Sequence, residues 1–131
     1  MSYLKAKKLT ELLTSKTMTI AVAESCTGGS LSSSLTSIPG ASSYFNCGFI
    51  TYSNESKINM LNVNPQSIVL FGAVSEKVAN EMAMGAGQNS KSNLAISVTG
   101  IAGPSGGTPE KPVGMVSVSY THLTLPTILR V

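Results

Sequence analysis

The sequence predicts an α/β fold: a single layered domain with a central β-sheet and flanking helices. Three observations carry that expectation. Segments with apolar residues at helical spacing alternate along the chain with segments rich in β-branched residues. Three of the strand-like segments end in turns of small or polar residues, as strands do at the ligand-binding edge of an open α/β sheet. The length, 131 residues, suits one domain with a real core.

Taken in order, Tyr3–Ser15 sets Leu4, Leu9, Leu12 and Leu13 among lysines and a Glu, a helix with one apolar face. Thr17–Ala23 alternates Thr with Met, Ile and Val and predicts the first strand. Ser25–Ser37 predicts a helix of small residues, with Leu31 and Leu35 one turn apart, stopped by Ile38-Pro39-Gly40. Tyr44–Ser53 is rich in aromatic and β-branched residues and predicts the second strand. Gly48 in its middle marks a bulge or a close backbone approach. Asn54–Leu61 predicts a short helix capped by Ser53 or Asn54, and Asn64-Pro65 restarts a helical piece with Pro65 at its first position. Val74–Gly87 is the clearest helix, capped by Ser75, with Val78, Met82 and Ala86 on one side and Gly85 and Gly87 closing it. Leu94–Thr99 predicts a third strand running into the glycine-rich loop Gly100–Gly107. Val113–Tyr120 predicts a fourth strand, paired with the third as a hairpin arm.

The end of the chain fits this scheme poorly. Thr121–Val131 has neither helical period nor cap, and reads as a truncated or out-of-frame end. The expected organisation is therefore a domain over residues 1–120 and an atypical tail over 121–131.

Composition excludes several function classes. Charged residues make up 11% of the chain, less than half the usual quarter, and all six acidic residues are Glu. Serine fills 20 positions. So little charge predicts that part of the surface is covered by another subunit, hence a homo-oligomer. The net charge of +3 comes from scattered lysines, and aromatics are only 5% of residues. No base-stacking platform follows, and no nucleic-acid partner is expected. Cys26 and Cys47 have no CxxC spacing and the one histidine is His122, so no metal site is expected. No apolar run reaches membrane-span length and Met1–Lys8 is polar, which predicts a cytoplasmic setting with free thiols.

The stretch with the most chemistry is Ala21–Gly29. A strand that enters a glycine turn and then a helix presents its last side chains at a helix N-terminus, where free N–H groups and the dipole favour an anion. Ser25 stands at that crossing. Tyr52 and Lys57 follow the second strand, and Thr99 and Gly100 open the loop after the third. If the three strands are parallel neighbours, these turns share one edge of the sheet.

Acyl-transfer chemistry needs a nucleophile, a base and oxyanion donors. The sequence has no Asp, and His122 is remote, so a Ser–His–Asp triad cannot be assembled. Ser25 with Lys57 can serve instead, since burial lowers a lysine pKa. Tyr52 would relay the proton or orient the pair, and N–H groups of Cys26, Thr27, Gly28 and Gly29 would hold the oxyanion. Each residue also has a plainer role. A serine before a helix is more often a cap, a strand-end tyrosine packs, an isolated lysine is solvated, and Cys26 is a small filler. Nucleotide-fold signatures are absent.

At these positions the sequence resembles a known family. Ala-Glu-Ser-Cys-Thr-Gly-Gly (23–29), Thr-Tyr-Ser-Asn-Glu-Ser-Lys (51–57) and Val-Thr-Gly-Ile-Ala-Gly-Pro (98–104) together resemble the C-terminal domain family of the competence-damage-inducible protein CinA. Ile-Pro-Gly-Ala-Ser (38–42) and Gly-Ala-Val-Ser (72–75) fit as well, and the likeness runs to about Val118. Its stand-alone members are nicotinamide mononucleotide deamidases. The resemblance implies hydrolysis of the carboxamide of nicotinamide mononucleotide to nicotinic acid mononucleotide and ammonia, without metal or other cofactor. It implies Ser25 as nucleophile, Lys57 as base, Tyr52 assisting, and Thr99 and Gly100 lining the substrate site. Family members continue past the fourth strand and supply an Arg from there. The tail here does not match that region, and Arg130 is not assigned the role. A non-catalytic nucleotide-binding or assembly module on the same fold is the alternative expectation.

Overall fold

A computed structural model describes residues 1–123. Helix α1 (Tyr3–Ser15) starts on the Ser2 hydroxyl, which accepts from Lys5 N–H. It ends in a Schellman motif. Thr17 takes a left-handed conformation (φ 53°), its N–H donates to Thr14 O, and Met18 N–H donates to Leu13 O. That closure consumes Thr17 and Met18, so strand β1 is Ile20–Glu24 rather than Thr17–Ala23.

Helix α2 is Ser30–Thr36 and starts five residues later than its composition suggests. Gly28 and Gly29 sit at φ +60° and +111°, outside the helical region, and convert Ser25–Gly29 into a turn. After a 3-10 turn at Ala41–Ser43 comes β2 (Phe45–Ile50). The register against β1 slips between Ile20 and Ala21, which puts the bulge at Asn46. Gly48 is instead a close approach: a Cβ there would lie 2.8 Å from Ser32 Oγ of α2.

Helix α3 (Asn54–Leu61) is capped by Ser53, one of its two candidate caps, and α4 (Pro65–Phe71) starts with the expected Pro65, capped by Asn64. Helix α5 runs from Glu76 to Ser90, capped by the Ser75 hydroxyl. Gly85 and Gly87 do not end it. They are flat spots on its buried side, where the helix meets the Leu61 backbone and the side chains of Leu123 and Ala95. Strands β3 (Leu94–Gly100) and β4 (Val116–His122) complete the sheet. Strand β4 starts later than Val113 because Pro112–Met115 form a turn, with Met115 N–H donating to Pro112 O. It also runs on to His122, so the first two residues of the expected tail pair with Ala95 and Leu94. The remaining tail, residues 124–131 with Arg130, lies outside the described residues.

The strand order is β2-β1-β3-β4, with β1, β2 and β3 parallel and β4 antiparallel to β3. This is the layered α/β domain expected. Alternation along the central strand β1 divides the core. Ile20 and Val22 pack with Ala6, Leu13, Leu35 and Tyr44 on the side of α1 and α2. Ala21 and Ala23 pack with Leu61, Val78, Met82 and Ala86 on the side of α3 and α5. The carboxyl ends of all three parallel strands emerge together, and the candidate residues sit there.

Candidate functional site

Ser25 is the first residue beyond β1. Its N–H donates to Val98 O at 3.0 Å, prolonging the β1–β3 ladder by one residue and fixing the backbone. It does not cap α2, whose N-cap is Gly29, so the helix-cap role is excluded. Lys57 lies in the first turns of α3. A helical side chain leans toward its helix N-terminus, and Lys57, only 1% exposed, is carried back under the end of β2.

There the Lys57 Nζ lies 3.1 Å from Ser25 Oγ, 3.0 Å from Thr51 O and 3.2 Å from Tyr52 O. Burial pushes the Lys57 pKa below its ordinary 10.5, opposed in part by the neighbouring Cys26 thiol. Nζ donates to both carbonyls and to Ser25 Oγ, and none of these partners carries a charge; once deprotonated, the amine would keep the carbonyl contacts and turn its lone pair to the Ser25 hydroxyl. The Ser25 hydroxyl in turn donates weakly to Tyr52 O, at 3.5 Å.

Tyr52 serves through its backbone. Thr51 turns inward at the end of β2, alternation sends Tyr52 outward, and its side chain is 65% exposed. Among the described residues its hydroxyl has no hydrogen-bond partner, so the expected side-chain relay is replaced by its carbonyl oxygen. Thr99 is buried and its Oγ1 donates to Ala73 O at 3.1 Å, tying β3 to the approach of α5. Gly100 provides clearance: a Cβ there would lie 2.9 Å from Cys26 Sγ and from Met115 O. Its lack of a side chain lets the Ser25 turn close against β3. His122 stands at the other end of β3, about 20 Å from Gly100 along the strand.

The turn itself is organised by Glu24, which the sequence reading passed over. Its side chain is wholly buried, and its carboxylate accepts from Thr27 Oγ1 (2.7 Å), Gly29 N–H (3.2 Å), Leu31 N–H (2.9 Å), Ser32 N–H (2.8 Å) and Ser32 Oγ (2.6 Å). Burial would raise its pKa, but the bonds from Ser32, Thr27 and the α2 backbone outweigh that and hold it below the usual 4.5. The N-terminus of α2 is thus already occupied by an internal anion. Gly28 N–H donates to Ser25 O and Gly29 N–H to Glu24, which removes both from the expected oxyanion donors. Among the described residues, the N–H groups of Cys26 and Thr27 have no acceptor. The signal was present: a Glu closing an otherwise apolar strand must be buried, and Ser-Cys-Thr-Gly-Gly-Ser-Leu-Ser behind it is rich in donors.

The profile of a family described as the CinA C-terminal domain matches residues 3–127. A putative competence-damage inducible protein of Alkaliphilus oremlandii is 56% identical over 108 residues, 82% of this chain and 26% of that protein. A CinA-like protein of Chloroherpeton thalassium matches with the same identity and coverage. The chain spans about a quarter of the length of these curated relatives. Among solved structures, a competence/damage inducible protein from Agrobacterium tumefaciens superposes with a TM-score of 0.89 at 42% identity, covering 92% of this chain and 73% of that one.

Proposed function

The chain belongs to the CinA C-terminal domain family, and on that premise we propose that it is an amidohydrolase acting on the carboxamide of nicotinamide mononucleotide. The observation that carries the reading is the 3.1 Å approach of a buried Lys57 amine to Ser25 Oγ. Lys57, neutral, takes the Ser25 proton as Oγ bonds to the amide carbon. The oxyanion is held by the N–H groups of Cys26 and Thr27, each worth about 3–4 kcal/mol of barrier. The Lys57 ammonium then returns its proton to the leaving nitrogen as the C–N bond breaks, and ammonia departs. Water attacks the resulting ester with Lys57 again as base, and Ser25 regains its proton as nicotinic acid mononucleotide leaves. This scheme draws its nucleophile, base and oxyanion donors from the chain, so it calls for no metal or other cofactor.

The cytoplasmic setting and self-association expected from composition belong to the same proposal. Cys26 and Cys47 are free thiols, and no helix among the described residues is long and apolar enough to cross a membrane. Helix α4 exposes Val69 and Leu70, an apolar patch that suits a subunit contact; sedimentation showing only monomer at micromolar concentration would remove that part.

The test of the reaction is ammonia release from nicotinamide mononucleotide. Ser25→Ala and Lys57→Ala are each expected to lower kcat by about 100-fold or more. A Ser25→Ala variant as fast as the parent protein ends the nucleophile assignment. Calorimetric binding of the mononucleotide without ammonia release favours the non-catalytic module instead.

A further inference from the structure

Glu24 takes no part in the proton transfers just described, yet it is the hub of the turn that carries the nucleophile. Its donors come from residues 27 to 32, so the chain wraps around one carboxylate. The segment from Ser25 to Thr27 is clamped at both ends. Ser25 N–H is tied to Val98 O of β3, and the Thr27 hydroxyl is tied to Glu24. Between these anchors lie the two N–H groups left without an acceptor among the described residues. The Gly29, Leu31 and Ser32 N–H groups are consumed by the carboxylate and Ser30 N–H by Thr27 O, so a developing oxyanion meets no competing site there.

We propose that Glu24 is a positioning residue for acyl transfer: its carboxylate fixes the Ser25–Gly28 turn with the Cys26 and Thr27 N–H groups held ready beside the nucleophile. The inference rests on the reading of Ser25 as nucleophile and goes beyond it by naming what sets the oxyanion donors. Catalytic donors lose effectiveness when displaced by about 1 Å, and a turn with two left-handed glycines does not hold itself to that tolerance.

The test separates positioning from mere support of the fold. In Glu24→Gln one acceptor oxygen becomes an NH2 group facing N–H and O–H donors, at nearly unchanged volume. Two rates are read on protein shown to be folded. One is the labelling of Ser25 by a small aryl phosphonofluoridate across pH, whose plateau reports the oxyanion donors and whose midpoint reports Lys57. The other is ammonia release, resolved into kcat and KM. The expected result is a plateau and a kcat lowered by about tenfold or more, with the labelling midpoint unmoved and KM within about threefold. A smaller loss of plateau overturns the inference, as does a loss that comes only from a shifted midpoint. Where Glu24→Gln does not fold, Ser32→Ala deletes one donor and keeps the carboxylate. Its plateau is expected to fall by about threefold, and an unchanged plateau overturns the inference. Labelling that depends on Glu24 in a protein releasing no ammonia removes the substrate reading and leaves the positioning role. Ammonia release that ignores Glu24 does the reverse.

Discussion

Replacing Lys57 by Met separates what the amine does for catalysis from what it costs the fold. Methionine keeps most of the unbranched apolar stem and deletes the amine. The Nζ is buried against two carbonyls and a hydroxyl, with no carboxylate among its contacts, so the folded state disfavours the ammonium. In the unfolded chain the amine keeps its proton up to 10.5. Between the lowered folded pKa and 10.5 the unfolded state therefore binds more protons, and stability rises with pH. For one proton the slope reaches about 1.4 kcal/mol per pH unit within that window and vanishes below and above it. Lys57→Met lacks the slope, so the stability difference between the two proteins should change with pH in the parent's favour as pH rises. Urea unfolding of both from pH 6 to 10 measures it. Cys26 neighbours Lys57 and influences it electrostatically, so the pair is repeated in a Cys26→Ala background. A difference that stays flat over the whole range would mean that Lys57 is as easily charged folded as unfolded. The argument for a neutral general base would then fail, whatever the activity of the variant.

Two further substitutions probe the walls of the site. Thr51 Oγ1 is buried with no hydrogen-bond partner among the described residues, while the Thr51 carbonyl holds Lys57. Thr51→Val removes the orphan hydroxyl at constant shape and keeps the carbonyl, so it should stabilise the fold by about 1 kcal/mol, read from the urea midpoint. A loss of stability would show that the hydroxyl is satisfied in solution. Gly100→Ala places a methyl 2.9 Å from Cys26 Sγ and Met115 O, and the Met115 carbonyl cannot yield because it accepts from Ile101 N–H at 2.9 Å. Cys26 must move instead, at a cost of about 1–3 kcal/mol in stability and about tenfold in kcat as its N–H is displaced. Unchanged kcat would separate the Cys26 turn from catalysis.

The parts of this architecture legible in the sequence are those encoded by neighbours along the chain. Helix α3 begins on Ser53, one of its two candidate caps, and α4 on the expected Asn-Pro, because caps act over three or four residues. Errors arise where a distant element decides. Gly85 and Gly87 look like terminators until Leu61 and Ala95 are packed against them. Thr121 and His122 look homeless until β3 supplies their partners. The site divides in the same way. Ser25 and Lys57 were nameable as candidates from a serine at a strand-end turn and a lysine just beyond the next strand, and it was the family resemblance that favoured them over their plainer roles. The reach between them, set by where α3 folds back under β2, was not legible. Nor was the exchange at Tyr52 of a side-chain role for a backbone one, since strand alternation fixes it only once the inward residue is known.

The two buried ionisable side chains at this sheet edge, Glu24 and Lys57, show how one fold favours the charged form of one group and disfavours that of the other. Desolvation acts against charge on both. Glu24 meets five donors, three of them backbone N–H groups at a helix N-terminus, and stays ionised. Lys57 meets only neutral oxygens, whose partial charges do not offset the loss of water, and is driven toward the free amine. Exchanging those environments would leave a protonated acid with no donors to order and an ammonium with no lone pair to offer. The division of labour proposed here, a charged residue that organises the turn and a neutral one that moves the proton, therefore follows from which polar groups face each side chain. Both are buried, and burial alone would not distinguish them.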